Sequence, residues 1–78
     1  MAVAELVAWI ARRLVDAPDE VRVETVERDD ATVIRLHVAP DDVGKVIGRQ
    51  GRIVRALRTV VRAGSAHADR RLVLEIAE

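Results

Sequence analysis

The feature that most constrains this chain is a pair of glycines, Gly48 and Gly51, with two residues between them, inside a stretch whose periodicity is otherwise helical. Upstream, Val43 to Ile47 has room for little more than one helical turn. Downstream, Ile53, Leu57, Val60 and Val61 recur at three- and four-residue spacing between Arg52 and Ala63, and Gly64 is placed to end that helix. Glycine tolerates positive φ and has no Cβ, so Gly48 can stop the first helix and Gly51 can let a ligand backbone come close. Two helices joined by a turn that opens a gap are expected. The second starts at the gap with unpaired N–H groups and the positive end of its dipole facing outward, which suits a phosphate.

The remaining elements fall around that unit. Val3, Leu6, Val7, Ile10 and Leu14 mark an amphipathic helix over residues 2–16, stopped by Asp16-Ala17-Pro18. Two β-branched alternating runs follow, Val21, Val23 and Val26, then Ile34, Leu36 and Val38, separated by Arg28-Asp29-Asp30-Ala31 as a tight hairpin. Pro40 ends the second, and Asp41 or Asp42 is suited to capping the short helix after it. Leu72, Leu74 and Ile76 give a last strand after a linker over residues 65–71. The order is αββααβ. A helical crossover between the second and third strands makes them parallel, so an α+β fold is expected, with a three-stranded mixed sheet and all three helices on one face. The middle strand carries Ile34, Leu36 and Val38. Seventy-eight residues hold one domain, 1–78, with no second core.

Formal net charge is zero, with 13 basic and 13 acidic residues, but the charge is segregated. Between Gly44 and Gly64 stand Lys45, Arg49, Arg52, Arg55, Arg58 and Arg62 and no acidic residue. At about 100° per residue Arg52, Arg55, Arg58 and Arg62 fall within about 120° of one another, opposite the apolar side of their helix. The row begins at the glycine turn. There Arg49 and Gln50 occupy the tip, suited to phosphate and sugar, while Val46, Ile47, Val54 and Ile53 supply apolar walls for bases.

Other chemistry finds little support. There is no cysteine, and neither His37 nor His67 has a metal partner at ligand spacing. A phosphate-binding P-loop needs lysine after its glycines and then Ser or Thr, whereas Lys45 precedes the turn and is followed by valine. Asp41 and Asp42 read as capping residues, not as paired catalytic acids. No enzyme activity, cofactor, metal or small-molecule substrate is expected. Trp9, the only aromatic residue, reads as packing at the edge of the core. Stacking modes of RNA binding need several surface aromatics. Without a signal segment or a run of about 20 apolar residues, a cytoplasmic protein with no membrane partner is expected.

Val46-Ile47-Gly48-Arg49-Gln50-Gly51-Arg52-Ile53-Val54, inside a βααβ unit with an extra helix and strand before it, resembles the signature of type II KH domains. Over the whole chain the sequence is similar to the small stand-alone bacterial KH proteins of the KhpA type. That resemblance implies that the loop clamps about four nucleotides of single-stranded RNA backbone. It places Lys45, Val46, Ile47, Gly48, Arg49, Gln50, Gly51, Arg52, Val54 and Arg55 in the RNA site. It also implies a homodimer, or a heterodimer with a larger KhpB (Jag)-type protein, and an RNA chaperone serving cell-wall and cell-length homeostasis. The alternative is a protein–protein dimerisation module with little RNA binding of its own.

Overall fold

The computed structural model describes residues 2–77. Helix α1 (Val3–Leu14) is followed by strands β1 (Arg22–Glu27) and β2 (Ala31–His37), helices α2 (Val43–Ile47) and α3 (Arg52–Ser65), and strand β3 (Arg71–Ile76). The expected αββααβ order is present. The sheet order is β1-β2-β3, with β1 antiparallel and β3 parallel to the central β2. The hairpin closes through the Arg28 N–H to the Ala31 carbonyl at 2.8 Å, leaving Asp29-Asp30 as a two-residue turn.

Period-two alternation decides which side of the sheet the helices cover. Leu36 (0% exposed), Ile34 and Leu74 face α1 and α3 and join Val7, Ala11, Val46, Leu57 and Val61 in one core. The opposite side carries a polar row across all three strands, Glu24, Arg35 and Glu75. There Arg35 Nε donates to Glu75 Oε1 at 2.8 Å, and His37 Nε2 lies 2.6 Å from Glu24 Oε1. The His37 hydrogen bond holds the Glu24 carboxyl below its usual value.

Two expectations are corrected. Gly64 lies inside α3, which runs on to Ser65, and a Cβ there would overlap the Val3 side chain. Close passage of two helices, not helix termination, requires that glycine. Trp9 is 48% exposed and does not pack at the core edge; its ring lies under the Arg13 guanidinium, 4.4 Å from the centroid. Val7, Ala8 and Ala11 are the residues that α1 turns inward, and Trp9 is rotated about 100° from Ala8 and about 200° from Val7. Among the described residues no helix is long and apolar enough to cross a membrane.

Candidate nucleic-acid interface

The turn between α2 and α3 is built from three departures from ordinary backbone, at Gly48, Gln50 and Gly51. Gly48 has φ 78° and ψ 170°, a region open essentially to glycine alone, and a Cβ there would meet the Ile53 side chain at 2.7 Å and its backbone nitrogen at 2.9 Å. Gln50 (φ 57°) and Gly51 (φ 73°) are left-handed, and Gln50 is the one non-glycine residue of positive φ among those described. The Gly48 N–H closes α2 on the Gly44 carbonyl at 2.9 Å, and the Gly51 N–H returns to the Gly48 carbonyl at 3.1 Å. Among the described residues the N–H groups of Arg49 and Gln50 have no backbone acceptor. Two free donors therefore stand at the exposed tip, just ahead of α3, an arrangement that receives anions.

Side chains complete this surface. The Arg49 side chain is exposed and has no partner among the described residues, whereas Gln50 Oε1 accepts from Arg52 Nη2 at 3.2 Å. Because a guanidinium only donates, this contact turns the Gln50 amide NH₂ outward as a further donor. Arg55 folds back on the turn, its Nη2 donating to the Gln50 carbonyl at 2.8 Å and its Nε to the Gly51 carbonyl at 3.3 Å. Along α3, Arg58 and Arg62 continue the row on the exposed side. None of the five arginines from Arg49 to Arg62 pairs with a carboxylate among the described residues. Their charge is uncompensated.

Three of the expected contact residues sit elsewhere. Val46 (0% exposed) and Val54 (7%) belong to the core, supporting the turn from beneath, so Ile47 and Ile53, half-buried, are the apolar surface beside it. Lys45, expected to add charge next to the turn, is engaged by Asp16 at 3.2 Å and Asp42 at 3.5 Å. Those carboxylates, Asp16 first, hold its ammonium above the usual lysine value. Asp42 does not cap α2 either. Its buried carboxylate accepts the N–H groups of Asp16 at 3.2 Å and Ala17 at 3.0 Å, fastening the end of α1 to the start of α2. Desolvation pushes the Asp42 carboxyl up, but the Ala17 and Asp16 amides and Lys45 outweigh it and leave it below the usual aspartate value. The unfolded chain therefore takes up this proton first, and the clamp's stabilisation, complete above the ordinary value, is lost as pH falls through the folded one.

Sequence reasoning missed the far wall. Between α3 and β3 runs a groove of about 320 Å³ lined by Arg58, Val61, Arg62, Leu72 and Leu74 among others, with Arg71 at its rim. Arg71 also reaches Asp30 at 3.3 Å. A basic residue opening an apolar strand was the available signal, and it takes the parallel pairing of β3 to bring that strand beside α3.

The pattern of the KhpA/KhpB KH-domain family matches residues 4–76. Among curated relatives, RNA-binding protein KhpA of Treponema pallidum is 53% identical over 75 residues, covering 95% of this chain and 92% of that protein. RNA-binding protein KhpA of Clostridium acetobutylicum is 49% identical over 72 residues (92% and 96%), and that of Aquifex aeolicus 48% over 77 (99% and 98%). The α+β order and mixed sheet are those of the type II KH arrangement, and with this family match over nearly its whole length the chain belongs to the KhpA/KhpB KH-domain family.

Proposed function

We propose that this chain, acting as one domain over residues 1–78, binds single-stranded RNA by clamping the sugar–phosphate backbone at Gly48 to Gly51. The observation that carries the reading is the pair of N–H groups at Arg49 and Gln50 left free among the described residues, at the head of an arginine row that has no carboxylate partner among them. In this reading Arg49 and the Gln50 amide contact phosphate, Gly48 and Gly51 give the turn its shape, and Arg52 adds charge and orients Gln50. Ile47 and Ile53 lie beneath the bases. The strand then follows α3 towards the groove beside β3. With about four phosphates neutralised, log Kd against log salt has a slope of magnitude about 3, at about 0.7 per phosphate on a single strand.

Family membership supports a wider role: a cytoplasmic RNA chaperone, working as a homodimer or with a KhpB (Jag)-type partner, that serves cell-wall and cell-length homeostasis. The test of the central claim is the double variant Arg49→Asp, Gln50→Asp. Crosslinking to a labelled single-stranded RNA is expected to vanish while circular dichroism and oligomeric state stay unchanged. Undiminished crosslinking would leave the chain as a protein-interaction module. Competition between RNA and DNA oligomers of equal length tests dedication to RNA, which equal affinity would refute.

A further inference from the structure

The two tip residues of the turn are held very differently. The Arg49 side chain has no hydrogen-bond or ion-pair partner among the described residues, while the Gln50 and Gly51 carbonyls are both gripped by one guanidinium, Arg55, at 2.8 and 3.3 Å. These carbonyls belong to the two consecutive left-handed residues, one of which has a side chain that disfavours that conformation. Arg55 sits one turn into α3, a fixed platform, and no carboxylate among the described residues competes for it. Its two donors lie in one rigid plane, a fork that lysine lacks.

We propose that Arg55 is a positioning residue that locks the Gly48–Gly51 turn in its ligand-ready shape, and is not itself a phosphate contact; its effect on RNA rests on the clamp described above. The fork holds the two carbonyl oxygens against α3, away from an incoming anion that they would repel. It also leaves the free N–H groups of Arg49 and Gln50 in place before the ligand arrives, so less ordering is required on binding.

The two roles diverge when charge is kept and the fork is removed. In the full chain, Arg55→Lys and Arg55→Gln are each expected to weaken binding of a labelled single-stranded RNA about tenfold, the loss of charge-assisted hydrogen bonds, with an unchanged salt slope. In the RNA-free protein, ¹⁵N relaxation at residues 49–51 is expected to report a loosened turn in both variants and a rigid one in Arg49→Lys. The proposal is overturned if Arg55→Lys binds like the parent with a rigid turn while Arg55→Gln lowers the slope by about 0.7, the behaviour of a phosphate contact. Were the parent protein itself not to bind RNA, the clamp reading would fall, and the relaxation data alone would still decide whether Arg55 holds the turn.

Discussion

At the scale of single residues, the two glycines that frame the turn do different jobs. Gly48 needs both an unusual backbone angle and an empty space against Ile53, whereas a Cβ on Gly51 would meet only Val54 Cγ1, at an ordinary 3.9 Å. Gly48→Ala is expected to cost about 3 kcal/mol and Gly51→Ala about 1 kcal/mol, the bare left-handed penalty. Urea unfolding followed by circular dichroism measures both, and equal losses would refute the steric distinction. The importance of the glycines was legible in the sequence, since few residues can occupy such a turn. The fates of Lys45, Val46 and Val54 were not. Whether a side chain beside a turn faces ligand, core or counter-ion depends on what α1 brings to the same place, and Asp16 is far from Lys45 in the chain.

Among the elements, α3 combines the most tasks: Leu57 and Val61 enter the core, Arg55 steadies the turn, and Arg58 and Arg62 extend the charged row. Arg62 stands ten residues past Arg52, about 15 Å along the axis. A nucleic acid confined to the turn does not reach it, but one continuing towards the β3 groove does. Arg58→Gln with Arg62→Gln is expected to reduce the salt slope by about 1.4 for a long oligonucleotide and to leave a tetranucleotide unaffected. Anisotropy titrations at several salt concentrations measure this, and equal effects on both lengths would refute the extended path. Element types and order were readable because periods of two and of three to four separate cleanly here. The end of α3 was misplaced because a glycine demanded by the passage of Val3 looks, in sequence, the same as one that ends a helix.

For the whole molecule, neutrality conceals a strong asymmetry. Lys45 is cancelled by its carboxylates, Arg70 pairs with Glu27 and Arg71 with Asp30, yet the five arginines from Arg49 to Arg62 have no carboxylate partner among the described residues of a body only 34 Å long that carries the acidic excess elsewhere. Such a particle has a large dipole and no net charge to keep copies apart near neutral pH. At low ionic strength its positive side attracts the negative side of its neighbours. Raising salt from about 0.01 to about 0.15 M contracts the Debye length from about 30 to about 8 Å and extinguishes that attraction. The second virial coefficient from light scattering is therefore expected to rise with added salt, and a fall would point to apolar contacts instead. The exposed row on α3 is thus expected to govern how the protein keeps company with itself: added salt should disperse it, while weakening the proposed grip on a polyanion.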